Sequence, residues 1–200
     1  MESMKTFCTA DRQRWRDWLA GHFETEEEIW FVFPMKASGE TGLSYNDAVE
    51  EALCFGWIDS TIKNLDSLHR AQRFTPRKAG SAYSRPNIER LIRLEEQGLL
   101  HPKVREGVLE LICAPYEFPP DIVDAIRADP AAWENYENFP EPYKRIRVAY
   151  IDAARKRPAE FRKRLDSFLR RTREGKLIPG FGGIEKYYSE RENTDAREKK

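Results

Sequence analysis

Prolines divide the second half of this chain into short segments, and they limit what that half can fold into. Proline is tolerated in the first turn of a helix but costs about 3 kcal/mol in its interior, so no long helix can run through them. Between the prolines, apolar residues recur at helical spacing, as at Tyr143, Ile146 and Tyr150. This pattern predicts a series of short amphipathic helices, near 102–113, 120–128, 130–138, 141–155 and 158–174.

The first hundred residues contain three short runs that are typical of β-strands. The sequence EIWFVFP at 28–34 is a compact run of apolar, β-favouring residues that ends at a proline. Residues 57–63 and 68–74 flank the polar turn NLDS, whose composition suits the connection of a hairpin. We expect three strands, two of which form the hairpin.

Helical segments alternate with these strands. The spacing predicts helices over 10–20, capped by Thr9, from Ser44 to Gly56, and from Ser84 or Asn87 to Gly98. The order α-β-α-β-β-α predicts an α+β fold, with a small antiparallel sheet of about three strands and packed helices, followed by a C-terminal helical region. We therefore divide the chain into an α+β region, a helical region packed on it, and a tail whose end is expected to be mobile, at 1–100, 101–176 and 177–200.

Composition limits the kind of protein and the cofactors it can hold. Basic and acidic residues number 34 each, so the formal net charge is zero. Three widely spaced cysteines indicate a reducing compartment, and three isolated histidines argue against a zinc site. The sequence shows no signal-peptide pattern and no run of roughly 20 apolar residues. We expect a cytoplasmic protein with no membrane span, no metal and no cofactor.

The stretch CFGWIDSTIKNLDSLHRAQRFTPRKAGSAYS at 54–84 is the candidate binding site, with a small anion as the expected ligand. Asp59 and Arg73 can meet across the hairpin, either as a structural ion pair or to present Arg73 to a ligand. Free N–H groups at the following helix start favour anions, although Ser84 can equally serve only as a cap. The candidate residues are Trp57, Asp59, Arg73, Arg77, Lys78, Ser81, Tyr83, Ser84 and Asn87.

Two other classes of function use other residues. A small hydrolase or transferase could employ Asp59 or Glu51 as a general base beside the arginines. Partner binding could instead use the basic C-terminal helices, whose cations suit an acidic protein, while the neutral chain and the lack of a nucleic-acid-binding motif argue against nucleic acid. Those cations are Arg155, Lys156, Arg157, Arg162, Lys163, Arg164, Arg170, Arg171 and Arg173.

Several motifs in both halves resemble one bacterial family. They are YNDAVEEALCFGWID at 45–59, QRFTPRK at 72–78, SAYS at 81–84, GLLHP at 98–102 and the long segment FPEPYKRIRVAYIDAARKRPAEFRKRLDSFLRRTREGK at 139–176. Together these resemble the bacteriocin-protection family called YdeI or OmpD-associated, with one departure, Tyr83, where the family commonly has tryptophan. The resemblance implies a non-catalytic role in stress or bacteriocin protection, and it transfers no catalytic residue.

Overall fold

The computed structural model describes residues 4–78 and 80–180, which form two compact units divided between Cys113 and Ala114. The N-terminal unit has the strands Thr6–Phe7 (β1), Ile29–Pro34 (β2), Trp57–Asn64 (β3) and His69–Pro76 (β4), and the helices Arg12–His22 (α1), Tyr45–Cys54 (α2), Arg85–Glu96 (α3) and Pro102–Cys113 (α4). The C-terminal unit has the helices Pro120–Arg127 (α5), Pro130–Glu137 (α6), Glu141–Asp152 (α7) and Pro158–Arg173 (α8).

The sheet is mixed, and its strand order is β1-β2-β4-β3. β4 pairs in antiparallel fashion with both β2 and β3, which are the expected strands, and this confirms the α+β class. The expected number of about three strands omits β1, which pairs in parallel with β2 through Thr6 opposite Trp30. With only two residues, β1 is too short to show a period in the sequence.

One face of the sheet carries the core of the N-terminal unit. The fully or nearly buried side chains of Phe31 and Phe74 pack there with Trp15 and Leu19 of α1 and with the buried face of α2. The Trp15 indole N–H donates to the carbonyl of Ala48 at 3.0 Å, which satisfies its one polar group inside the core. Aromatic burial therefore fixes α1 and α2 on this face of the sheet.

The helix caps agree with the sequence at Ser44 and differ from it at two other positions. The Ser44 hydroxyl accepts from the Asp47 N–H at 3.1 Å and donates to the Asp47 carboxylate at 2.6 Å. The predicted cap Thr9 is wrong, because Asp11 caps α1 by accepting from the Gln13 N–H at 2.8 Å. Ser84 does occupy the N-cap position of α3, but its side chain makes no capping hydrogen bond.

Prolines lie at the beginnings of the C-terminal helices, as the sequence predicts. Pro120, Pro130 and Pro158 each open a helix, where the missing N–H costs no helical hydrogen bond. These helices enclose a second core, which includes Tyr143 and Phe168. Each unit therefore has a hydrophobic core of its own.

The described part of the predicted tail ends at residue 180. Ile178 packs against the C-terminal core, and its backbone N–H donates to the Tyr143 hydroxyl at 3.0 Å. The rest of that predicted tail, at 181–200, lies outside the described residues. No helix among the residues described here has the length and apolar character that crossing a membrane requires.

Candidate ligand-binding groove

The face of the sheet opposite the aromatic core forms an open groove of about 1430 Å³. Its floor consists of side chains that alternate along the strands with those of the core. Trp30 lies between the core residues Ile29 and Phe31, and Arg73 lies just before the core residue Phe74. The floor and walls include Trp30, Ile58, Thr61, Lys63, Arg73, Thr75, Arg77, Lys78 and Ser81.

A β-bulge in β3 determines which side chains of that strand line the groove. Asp59 pairs with Phe74, but three residues further on Ile62 pairs with Gln72, so β3 contains one extra residue. The extra residue reverses the alternation, and Thr61 and Lys63 consequently line the groove together with Ile58. Strict alternation along β3 would place Thr61 and Lys63 on the same face as Trp57 and Asp59, and the bulge places them on the opposite one.

The predicted contact between Asp59 and Arg73 does not form. Asp59 lies on the helix side of the sheet, where its carboxylate accepts from the Tyr45 hydroxyl at 2.6 Å and from the Gln72 side-chain amide at 3.2 Å. Arg73 lies on the groove side and donates from Nε to Glu28 at 2.6 Å. The register pairs Asp59 with Phe74, so the two charges belong to opposite faces. Burial and the bond to Asp59 raise the pKa of Tyr45, which keeps the phenol a donor.

Arg77 is held within its own loop. One terminal guanidinium nitrogen donates to the carbonyls of Ser81 and Ala82 at 3.2 and 2.9 Å, and the guanidinium carbon lies 3.7 Å from the centre of the Tyr83 ring. Tyr83, which takes the aromatic position of the SAYS motif, therefore has a local partner. Arg77 forms no ion pair with a carboxylate among the described residues, so its positive charge at the groove is not neutralised.

Two lysines of the groove also lack a carboxylate partner in the described part of the chain. The Lys63 ammonium lies 4.4 Å from the centre of the Trp30 ring, and the Lys78 ammonium makes no hydrogen bond or ion pair with any residue that the structure describes. On the acidic side, Glu28 is bound by Arg73, which lowers the pKa of Glu28, and Glu26 is bound by Lys5. The groove therefore has an excess of positive charge, with Lys63, Arg77 and Lys78 facing one unpaired carboxylate, that of Glu27.

The predicted site residues are thus brought together only in part. Arg73, Arg77, Lys78 and Ser81 line the groove. The remaining five lie elsewhere. Trp57 is fully buried and donates its indole N–H to the Phe23 carbonyl, and Asp59 lies on the helix side of the sheet. Tyr83 lies under Arg77, Ser84 precedes α3, and the side chain of Asn87 accepts from Arg90 at 2.8 Å.

Sequence reasoning missed Trp30, Lys63 and Glu28 as residues of the groove. Trp30 is buried, at 4% exposed, but it alternates with Ile29 and Phe31 and therefore lies on the groove side of the sheet, beneath Lys63. That alternation was the available signal for Trp30. No signal was available for Lys63, because the bulge that turns it toward the groove leaves no pattern in the sequence.

Glu51, the alternative general base, lies outside the groove between α1 and α2. It is 2% exposed and accepts from Arg12 at 2.5 Å and from Arg16 at 2.7 Å. Its oxygens are thus occupied by two fixed guanidinium groups, and it shares no bonding partner with Asp59. Burial raises the pKa of the neighbouring Cys54 thiol to about 12, so this side chain stays protonated and serves in packing.

Neither unit contains a group of three or more His, Cys, Asp or Glu side chains that could hold a metal ion, within the residues that the structure describes.

The basic side chains that the sequence suggested for partner binding, all in the C-terminal unit, fall into two sets. Arg155, Arg164, Arg171 and Arg173 form ion pairs within that unit. Others make no hydrogen bond or ion pair through their side chains among the described residues, namely Lys156, Arg157, Arg162, Lys163 and Arg170.

Comparison with known protein families assigns the two halves of the chain separately. Residues 7–107 match the model of a domain of unknown function (DUF8412), and residues 115–175 match the family described as bacteriocin-protection, YdeI or OmpD-associated. No curated protein and no solved structure gave a significant match. The second match confirms the resemblance seen in the sequence for the segment at 139–176, whereas the motifs between 45 and 102 lie inside the first match. The chain therefore belongs to the family of the domain of unknown function (DUF8412), and it carries after that domain a segment of the bacteriocin-protection, YdeI or OmpD-associated family.

Proposed function

We propose that this chain is a non-catalytic, cytoplasmic binding protein that acts in stress or bacteriocin protection and holds an anionic ligand in the groove of its N-terminal unit. The observation that carries this proposal is the excess of cations there. The ammonium groups of Lys63 and Lys78 form no ion pair with a carboxylate among the described residues, although Lys63 lies near enough to Glu28 to help Arg73 lower its pKa, and both lysines line the same groove. A ligand carboxylate or phosphate would supply the missing partner.

The other groove residues suit such a ligand. The hydroxyls of Thr61, Thr75 and Ser81 can donate hydrogen bonds to anionic oxygens. Trp30 is 4% exposed and forms the buried floor on which Lys63 rests, so it holds the Lys63 ammonium in position at the groove. Arg73 is held by its ion pair with Glu28, so the excess charge offered to the ligand comes from the other cations of the groove.

The size of the groove favours an extended ligand. Sites for compact small molecules commonly have volumes of about 300–1000 Å³. The groove exceeds that range at about 1430 Å³ and is open to solvent along the sheet. We therefore expect a ligand with several anionic groups, which contacts Lys63 and Lys78 at the same time.

The test is a calorimetric titration of the purified protein with inorganic phosphate, citrate, nucleotides and a glutamate-rich peptide, preceded by a thermal-shift screen. Ligand present at 100 times its dissociation constant should stabilise the fold by about 2.7 kcal/mol, a readily measured shift. Charge reversal at two unpaired lysines, Lys63→Glu and Lys78→Glu, should weaken binding by at least about tenfold each, equivalent to about 1.4 kcal/mol.

Lys36 provides the matched control, because it is exposed, lies in the same unit and is not part of the groove. The variant Lys36→Glu changes the net charge by the same amount and should bind the ligand as the unmodified protein does. If Lys36→Glu weakens binding as much as Lys63→Glu, only the overall charge matters and the groove is not the site. If none of the anions binds, the proposal fails.

A further inference from the structure

A second concave surface lies on the C-terminal unit, along the first half of α8. It has a volume of about 480 Å³ and is lined by Pro158, Phe161 and Leu165 together with Arg155, Arg162 and Asp166. Phe161 and Leu165 are half-buried, and both pack against the core of the unit. Their remaining exposed surface forms an apolar notch large enough for one or two side chains.

The edge of this notch is positively charged. Arg155 is immobilised, since it donates two hydrogen bonds of 2.9 Å to Asp121 and one of 2.6 Å to Asp152, and its guanidinium lies 5.2 Å from the centre of the Phe161 ring. Arg162 is exposed and makes no ion pair with any described residue.

Two more exposed cations, Lys156 and Arg157, fall in the turn between Arg155 and Pro158, and their side chains form no hydrogen bond or ion pair in the described part of the chain. The ion-pair partner of Glu160 is Arg164, which lowers the pKa of Glu160, and Arg157 helps to lower it. Asp166 is the acidic residue that lines the notch. Three unpaired cations next to one carboxylate leave this edge with a strong preference for an anionic partner.

We propose that this notch is a docking site for an acidic peptide segment of a partner protein, with an apolar side chain of the segment inserted between Pro158, Phe161 and Leu165. An apolar anchor within a ring of polar contacts is the usual arrangement of an interaction hot spot. The carboxylates of the segment would pair with Arg162 and with the two cations of the preceding turn.

The combination of an apolar floor and a basic edge selects this occupant over others. A nucleic-acid backbone supplies anions but no apolar side chain for the notch, and Phe161 is the single aromatic residue among those that line it, whereas single-stranded nucleic acid stacks successive bases on several aromatic rings. A second copy of this neutral chain would bring as many basic as acidic residues to the interface. An acidic segment with an apolar residue satisfies both features.

The experiment measures fluorescence anisotropy with a labelled peptide in which leucines alternate with pairs of glutamates, titrated with the full-length protein at low salt. Two further probes have equal formal charge: the same peptide with every leucine replaced by serine, and a labelled oligothymidylate. We expect the leucine peptide to bind at least about tenfold more tightly than either of the other two probes.

Arg162→Glu is the test variant and Arg170→Glu the matched control. Both arginines are exposed on α8 and unpaired among the described residues, but Arg170 lies about 12 Å further along the helix and is not part of the notch. We expect Arg162→Glu to weaken binding of the leucine peptide at least about tenfold and Arg170→Glu to weaken it less than about threefold.

Three outcomes would overturn the proposal. Equal effects of the two substitutions would show that the helix attracts any anion through its overall charge. Equal binding of the leucine and serine peptides would show that no apolar side chain is inserted in the notch. Tighter binding of the oligothymidylate would show that the surface recognises phosphate groups. Because the residues lie in the C-terminal unit, Lys63→Glu should leave this binding unchanged, which separates the result from that of the groove.

Discussion

At the scale of single residues, Glu51 shows how a charged side chain can be buried when its charge is paired. It is 2% exposed and is bound at both oxygens, by Arg12 and by Arg16. Arg16 also donates to the Leu99 carbonyl at 2.7 Å, so the network ties α1 and α2 to the segment after α3. Burying these charges carries a desolvation penalty, which their pairing offsets. Removing one member of the network should therefore lower the free energy of unfolding.

We predict that Glu51→Gln lowers the free energy of unfolding by about 3 kcal/mol, because it leaves Arg16 facing a neutral amide and removes one of the carboxylates around Arg12, which keeps Asp47 and Glu50. Urea denaturation followed by circular dichroism measures the loss. Glu106→Gln is the control, since Glu106 is exposed on α4 and the same substitution there should change stability by less than about 0.5 kcal/mol. Equal stabilities of the two variants would contradict the structural role of the Arg12–Glu51–Arg16 network.

The residue scale also shows what sequence reasoning can and cannot reach. Arg73, Arg77, Lys78 and Ser81 were recognisable because cations and hydroxyls cluster in one short stretch of sequence, and these four do line the groove. Asp59 was misplaced because strand register and the position of a bulge follow from contacts across the sheet, and a shift of one residue exchanges the two faces.

At the scale of elements, helices were predicted closely where proline and apolar spacing act together. The starts of α5, α6 and α8 coincide with Pro120, Pro130 and Pro158, because proline leaves no hydrogen bond unmade in that position. The cap of α1 could not be read in the same way, since Thr9 and Asp11 are both good capping residues. The turn at Thr9, whose hydroxyl accepts from the Asp11 N–H at 3.0 Å, gives the capping position to Asp11.

The tip of the β3–β4 hairpin carries a pH-dependent contact. The ring nitrogens of His69 lie 3.0 Å from Asp66 and 3.1 Å from Glu40, which connects the hairpin to the loop before α2. The hydrogen bonds to Asp66 and Glu40 raise the pKa of His69. The pKa of Asp66 is lowered, first by the hydrogen bond from the Leu68 backbone N–H and next by the one from the His69 ring. Each partner thus extends the pH range in which the other is charged.

The direction of the pH effect follows from these shifts. Protonated His69 stabilises the fold fully below its unfolded pKa of about 6.5, and this contribution is lost as the pH rises through the higher folded value. Asp66 contributes above its unfolded pKa of about 3.8 and loses its contribution as the pH falls through the lower folded value. The contact therefore stabilises the hairpin most between these two limits.

We predict that His69→Asn destabilises the protein more at a pH of about 5.5 than at a pH of about 8.5. Denaturant midpoints of the variant and of the unmodified protein at both pH values measure the difference, and NMR titration of His69 gives its pKa directly. His22→Asn is a control, because the His22 ring stacks on Trp18 and has no acidic side-chain partner among the described residues. A His69 pKa at or below about 6.5 would contradict the prediction.

At the scale of the whole molecule, three observations place one boundary in the same short interval. The compact units divide between Cys113 and Ala114. The family matches end at residue 107 and begin again at residue 115. The two hydrophobic clusters also share no residue, with one built around Trp15, Phe31 and Phe74 and the other around Tyr143 and Phe168. A chain that is divided in this way behaves as two domains, each with a core of its own.

We predict that residues 1–113 and 114–200, produced as separate fragments, each fold and unfold cooperatively. Both exceed the length at which a single core can sustain a fold, and neither needs a buried residue of the other to complete its cluster. Differential scanning calorimetry of the two fragments and of the full chain measures this. A fragment that unfolds without a cooperative transition would show that its core is incomplete.

The same calorimetric experiment tests the expectation from the sequence that the helical region packs on the α+β region. Packing adds free energy to the folded pair, so the less stable unit should unfold at a higher temperature in the full chain than as a fragment, by several degrees for a gain of about 1 kcal/mol. A fragment that keeps the midpoint it has in the full chain would instead show two domains joined only by the backbone. The proposed anion-binding groove and the proposed peptide-docking notch would then act independently, each retained on its own fragment.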